Sequence, residues 1–146
     1  MEIMQELGKA LVSERALPGA AKKVCQVLRR RVPHYSWVGV YRLSGETLKL
    51  EAWHGPQATG HVEIPIGQGI CGMAARTRET VVVDDVSKDP RYLQCFLNTK
   101  SELVVPILKA GRCLGEIDVD SDRPAAFNSL DRMFLEWLAD LLSDKA

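Results

Sequence analysis

At Trp37 the hydrophobic period of this chain changes from that of a helix to that of a strand, and after Ser121 it changes back. Before the change, Ile3, Leu7 and Leu11 recur at helical spacing. So do Ala21, Val24, Cys25, Leu28 and Val32, with Pro18 near the start of that stripe and Pro33 at its end. Beyond Trp37, WVGVYRL and TLKLEAW alternate around Ser44, Gly45 and Glu46 and predict a hairpin. HVEIPI predicts a third strand. It runs into a glycine turn, a short helix beginning near Ile70, and the buried-looking strand TVVVDDV. SELVVPIL and RCLGEIDVDS predict a last hairpin, and Asn128 is placed to cap a final helix whose apolar face runs Leu130, Phe134, Trp137, Leu138 and Leu141. This order predicts an α+β fold, an antiparallel sheet with the terminal helices on one face and the other face free for a pocket. A single domain over residues 1–146 is expected, with no linker or repeat inside it. The stretch from Ser87 to Lys100 reads as a long irregular connection. Loops of that length are usually functional or disordered, and Cys95 within this one favours the functional reading.

Nineteen basic residues balance nineteen acidic ones, so there is no overall field to recruit nucleic acid or an anionic membrane. Arg29, Arg30 and Arg31 fall in the last turn of the second helix, where cations complement the helix dipole. The apolar runs are far shorter than the roughly 20 residues that span a bilayer. Met1-Glu2 opens no signal-peptide pattern, so a cytoplasmic protein with a small-molecule or protein partner is expected. Cys25, Cys71, Cys95 and Cys113 form no CxxC pair, which argues against a zinc site. A reducing cytosol argues against static disulfides, so a disulfide here would be transient and catalytic.

In GEIDVDS, alternation sends Glu116, Asp118 and Asp120 to one side of a strand and Ile117 and Val119 to the other. With a three-residue loop at Lys109-Ala110-Gly111, Glu102 would lie directly across from Asp118; a two-residue loop would turn Glu102 to the apolar side. Like charges opposed on a sheet destabilise it. Two readings follow. One is a solvated outer face; the other is a pocket for a cation such as a primary ammonium, with at least one carboxyl raised in pKa and able to donate a proton. Cys71 opens a helix behind Gly67 and Gly69, where the dipole favours a thiolate; the other reading of Cys71 and of Cys95 is a small buried hydrophobe, and spacing leaves both open. Cys25 and Cys113 read as core residues.

The strings WVGVY, IPIGQGICGMAA, VVVDDV, SELVVPI and LGEIDVDS resemble the GAF superfamily over essentially the whole chain, and more narrowly the free methionine-R-sulfoxide reductases. From Cys71 through Ser121 that match needs no gap. The resemblance implies a GAF/PAS-like α/β sandwich with a central antiparallel sheet of about six strands and a ligand pocket under loops. It implies that Cys95 is the nucleophile and Cys71 a resolving cysteine. It also puts Glu102, Asp118 and Asp120 in the substrate pocket, with Trp37 and Tyr41 against the methyl-sulfur end. The implied reaction reduces free methionine-R-sulfoxide through a Cys95 sulfenic acid and a Cys95–Cys71 disulfide, reopened by a thioredoxin-like reductant, with no metal and no cofactor. A homodimer is implied as well. This chain departs from the family at two places. His61 stands where three-cysteine members carry an additional resolving cysteine, and the loop reads RYLQCF in place of GHIACD, with Phe96 replacing the aspartate. The other functions open to such a chain are a non-catalytic small-molecule sensor dimerising through its terminal helices and a thiol-based redox sensor.

Overall fold

The change of period at Trp37 separates helices from sheet. In the computed structural model, which describes residues 2–93 and 98–146, α1 (Glu2–Val12) and α2 (Leu17–Arg31) precede a hairpin of β1 (Trp37–Ser44) and β2 (Thr47–His54). Gly45 turns that hairpin with φ of 62°, a conformation glycine adopts without steric cost. Then come β3 (Glu63–Pro65), α3 (Gly69–Thr77) and β4 (Val81–Val83), and after the long connection β5 (Ser101–Lys109), β6 (Arg112–Ser121) and α4 (Ser129–Ser143). The strands form one six-stranded antiparallel sheet in the order β3-β2-β1-β6-β5-β4.

The pleat of the two central strands decides what each face holds. Val38 and Val40 of β1 and Ile117 and Val119 of β6 point to the side covered by α1, α2 and α4, where they pack with Leu7, Leu28, Leu135 and Leu138. Trp37, Gly39 and Tyr41 share the opposite face with Glu116, Asp118 and Asp120, their cross-strand partners being Tyr41 with Glu116, Gly39 with Asp118 and Trp37 with Asp120. There α3 lays Ile70, Cys71, Ala74 and Ala75 against Tyr41, Leu48 and Val104 in a second, smaller cluster. The basic cluster at the end of α2 ties helices together: Arg30 and Arg31 pair with Glu6 of α1, and Arg29 donates to the Tyr35 carbonyl.

Asn128 caps α4 as the sequence predicts, its side chain accepting from the Leu130 and Asp131 amides while Asp131 accepts from the Asn128 amide. The buried face of that helix differs from the predicted one. Leu135, Leu138, Ala139 and Leu142 enter the core, Phe134, Trp137 and Leu141 are only partly buried, and Leu130 is 71% exposed. The predicted stripe mixes the core face with a neighbouring apolar strip that also includes Met133, 65% exposed. β4 is likewise no buried strand. It is the outer strand of the sheet, three residues long, with Val82 exposed.

The last hairpin turns through two residues, Ala110 and Gly111, both with positive φ, and Lys109 faces Arg112. Taken alone, that turn would send Glu102 to the helix side. An irregularity between Ile107 and Leu108 admits one extra residue on β6 and restores the parity, so Glu102 reaches the acidic face opposite Asp120, with Val104 opposite Asp118. The predicted face is right and the predicted partner is two residues off.

Gly115 follows this bulge, where the backbones of β6 and β1 come close: a Cβ there would stand 2.1 Å from the Tyr41 carbonyl oxygen. Gly8, inside α1, has open space around it. Gly115→Ala is expected to lower unfolding stability by about 1–3 kcal/mol through overpacking against main chain. Gly8→Ala is expected to raise it by about 0.5–1 kcal/mol through helix propensity. Urea denaturation of the two variants beside the wild type measures both.

Candidate functional site

Three elements bring polar chemistry to one spot under α3. Cys71 is the third residue of α3, Glu102 the second of β5, and Asp118 stands on β6. The Cys71 sulfur and one carboxylate oxygen from each acid all lie within 4.8 Å of one another. Around them Glu102 is 5% exposed, Glu116 0%, Asp118 3% and Asp120 2%, so the solvated-outer-face reading fails and four acids lie buried on one sheet face.

Burial dominates their titration. It pushes Asp118 above the ordinary carboxylate range, against hydrogen bonds with Glu102 and Cys71 that favour the charged form. Asp120 is raised well above that range, first by burial and then by the neighbouring charge of Asp118, with the Glu102 hydrogen bond opposing. Carboxyl groups that hydrogen-bond to each other must share a proton, so Glu102, Asp118 and Asp120 hold at least one between them. One oxygen each of Asp118 and Asp120 is buried without a hydrogen-bond partner.

Glu116 was part of the acidic face read from the sequence but carried no predicted site role. It is fully buried, neither of its oxygens has a hydrogen-bond partner, and burial raises its pKa well above the ordinary value, with the Cys71 thiol acting on it next and the Asp118 charge last. Its place beside Cys71 comes from the fold of α3 over the sheet, which spacing along the chain does not reveal.

Cys71 overturns one expectation. Its position in the first turn of α3 favours a thiolate, yet its pKa is raised well above the ordinary thiol value. Burial is the largest cause, followed by the charges of Asp118, Glu116 and Glu102. A helix dipole contributes about half a charge at its terminus, too little against full desolvation and three acids. Cys95 lies outside the described residues. Cys25 is a core thiol, pushed up to about 12 by burial, while Cys113 is only half-buried and donates to the Gly115 carbonyl.

The two aromatics flank the acids. Trp37 is cross-strand from Asp120, stacks on Trp53 with ring centroids 6.4 Å apart, and donates from its indole to the Gln57 carbonyl. Gly39 and Gly55 make room for its ring, since a Cβ on either would meet it at 2.4 Å. Tyr41 stands opposite Glu116 and donates its hydroxyl to the His61 carbonyl, 2.9 Å away. His61 therefore enters the arrangement through its main chain.

The cavity among Cys71, Glu102 and Asp118 measures about 10 Å³, closed on one side by Leu93, which packs over Gly69. A second cavity of about 90 Å³ lies beside Trp37 and Asp120. Two larger hollows, of about 580 and about 510 Å³, lie away from the acids, one against β5 and α4 and the other over the apolar strip of α4. Among the described residues neither has a thiol in its lining.

The sheet order, the helices on one side and the pocket under α3 on the other agree with a known pattern. The GAF domain model matches residues 2–144. The chain belongs to the GAF domain family. Within that family its relatives include free methionine-R-sulfoxide reductases, which are oxidoreductases. The Saccharomyces cerevisiae free methionine-R-sulfoxide reductase is 37% identical over 131 residues, 87% of this chain and 72% of the relative. Among solved structures, the type II free methionine-R-sulfoxide reductase of Thermoplasma acidophilum superposes with a TM-score of 0.82 at 44% identity, over 87% of this chain and 92% of that one. The Neisseria meningitidis enzyme, solved in complex with its substrate, superposes with a TM-score of 0.91 at 32% identity, over 99% of this chain and 86% of that one.

The raised acids fix the sign of a pH dependence for this GAF domain. Glu116, Asp118 and Asp120 bind protons more tightly folded than unfolded. Their contribution to stability is therefore complete below the ordinary values of 4.5 and 3.8 and is lost as pH rises through the raised folded values. Glu116→Gln, which needs no proton to stay neutral, is expected to be more stable than wild type at about pH 8, with the gap closing toward about pH 5. Denaturant midpoints across that range check it, and a gap that widens on acidification would contradict the assignment.

Proposed function

We propose that this GAF domain is a thiol-dependent reductase of free methionine-(R)-S-oxide. The observation that carries the proposal is the meeting of Cys71, Glu102 and Asp118 within 4.8 Å on a buried acidic face, in a chain that shares 44% identity with a solved reductase of that kind. A free amino acid brings an ammonium group that buried carboxylates would hold; a methionine inside a peptide has none to offer. Trp37 and Tyr41 supply apolar walls for the methyl-sulfur end beside those acids.

In the proposed cycle the Cys95 thiolate attacks the sulfoxide sulfur while a carboxyl of the shared-proton group protonates the sulfoxide oxygen. The oxygen passes to Cys95 as a sulfenic acid and methionine leaves. The Cys71 thiol then attacks that sulfenic acid, water departs, and a Cys71–Cys95 disulfide remains for a thioredoxin-like dithiol to reopen by exchange. The raised acids support the first step, because a carboxyl that is neutral at working pH is a proton donor. The raised pKa of Cys71, caused first by burial, supports its assignment as the resolving thiol and disfavours peroxide sensing that starts from Cys71.

The narrow cavity also has a consequence. About 10 Å³ holds no amino acid, so admission of the substrate would need the side chains around the cavity, among them Leu93 over Gly69, to shift. Among the described residues no helix is long and apolar enough to cross a membrane, and a reducing cytoplasm would supply the dithiol. The exposed Leu130 and Met133, beside the groove over Ile3, Phe134 and Trp137, support a homodimer packed through the terminal helices.

Purified protein with methionine-R-sulfoxide and thioredoxin is expected to release methionine, and Cys95→Ser is expected to abolish this. Cys71→Ser should keep one stoichiometric turnover and lose thioredoxin-supported recycling, and Asp118→Asn should lower kcat/KM by about 10²–10⁴. No methionine from the R-epimer under these conditions would end the proposal. For the assembly, light scattering is expected to report twice the chain mass for wild type and the single chain mass for Met133→Glu.

A further inference from the structure

The space that is too small for an amino acid has the dimensions of a single ion. It lies between one thiol sulfur and two carboxylate oxygens contributed by three different elements, α3, β5 and β6, all within 4.8 Å of one another. Ligand atoms bound to one centre at the usual zinc distances of about 2.0–2.3 Å lie closer to each other than that limit, so only a small contraction separates this arrangement from a coordination site. The residues that line the cavity are Ile64, Gln68, Gly69, Ile70, Leu93 and the three donors themselves, with no lysine, arginine or histidine among them. Among the described residues, one oxygen of Asp118, which lines the cavity, is buried with no hydrogen-bond partner, as are one of Asp120 and both of Glu116 on the same sheet face. Buried carboxyl oxygens without partners are groups that a cation satisfies when it displaces the protons they share.

The donor set selects the cation. Magnesium and calcium take oxygen ligands, six or more of them, and a thiol adds nothing to their binding. Zinc and cadmium accept sulfur together with carboxylate oxygen in four-coordinate sites, and three protein donors leave a fourth position for water. The absence of a CxxC pair in the sequence argued against a zinc site; that argument covers sites built from local cysteine spacing and does not reach one assembled from three separate elements.

We propose that Cys71, Glu102 and Asp118 form a binding site for a thiophilic divalent cation of the zinc class, and that this ion inhibits the protein by occupying the ammonium pocket and capping the resolving thiol. Binding stands on the geometry alone. The inhibitory role rests on the reductase reading above. No catalytic step passes through the ion: it competes with the substrate for the same carboxylates and withholds Cys71 from the sulfenic acid.

The test uses the full chain freed of metal by chelator, with no sulfoxide present. Cadmium is titrated in while the ultraviolet thiolate-to-cadmium charge-transfer band is followed, and zinc stoichiometry is taken by equilibrium dialysis. The expected result is one ion per chain. The band should vanish in Cys71→Ser, affinity should fall by on the order of 100-fold in Asp118→Asn and in Glu102→Gln, and Cys113→Ser should bind like wild type. Excess magnesium should not compete. A band that survives Cys71→Ser, or affinity that is unchanged in both carboxylate variants while all of them unfold cooperatively, would overturn the site. In the turnover assay zinc is expected to inhibit competitively with methionine-R-sulfoxide, and binding without inhibition would overturn the inhibitory role. A metal-free protein that binds one zinc at Cys71 but never forms methionine would refute the reductase reading and leave the metal site intact.

Discussion

Burial of four acids on one face of the sheet is the constraint around which the rest of this protein is arranged. Two unit charges about 4 Å apart repel by about 4 kcal/mol at an effective dielectric of about 20, and desolvation adds to that for each charge taken from water. Glu116, Asp118 and Asp120 lower this cost by binding protons more readily than in water, since burial raises the pKa of each. A domain that is only marginally stable can carry such a face because the other side of the same strands is fully apolar. Val38, Val40, Ile117 and Val119 meet three helices there, and Leu7, Leu28, Leu138 and Leu142 are completely buried. The two faces are coupled through the pleat: each β6 residue that strengthens the core fixes an acid on the opposite side.

That coupling explains why the acidic face could be read from the chain while its pairing could not. Alternation in GEIDVDS assigns faces without any knowledge of the neighbours. Register depends on the turn, and here two irregular features compensate. A two-residue turn at Ala110 and Gly111 shifts parity once, and the bulge beyond Ile107 shifts it again. No single position marks the bulge in the sequence, although Gly115, pressed against the Tyr41 carbonyl, is its neighbour. The stripe of α4 misled for a different reason. Helical period identifies apolar positions and not which of two adjoining strips meets the core, and Leu130 and Met133 belong to the strip that does not.

Cys71 shows a further limit of local reasoning. Its place behind Gly67 and Gly69 gives the correct helix start, and the dipole argument that follows is sound for an exposed terminus. The fold inverts the outcome by seating α3 on the acids. This division is chemically useful to a two-thiol cycle. A resolving cysteine that stays protonated does not compete with the attacking thiol for substrate or oxidant, and it becomes reactive only against a sulfenic acid, which is a far better electrophile.

The two proposals bring two kinds of cation to the same acids, an ammonium that carries a substrate and an ion that carries none. What separates them is space. With Leu93 over Gly69 the cavity measures about 10 Å³, and Trp37, Tyr41 and Asp120 stand on the same sheet face, where the larger zwitterion of the proposed reaction would gain apolar contacts that a bare ion cannot make. In the proposed reaction, selectivity for the substrate would reside in the aromatic end of the site, and affinity for positive charge in the acids. Gly39 and Gly55 join the two ends: they let the Trp37 ring lie over the strand position facing Asp118, so that the wall proposed for the methyl-sulfur group and the acid proposed for the ammonium are held by one stretch of sheet.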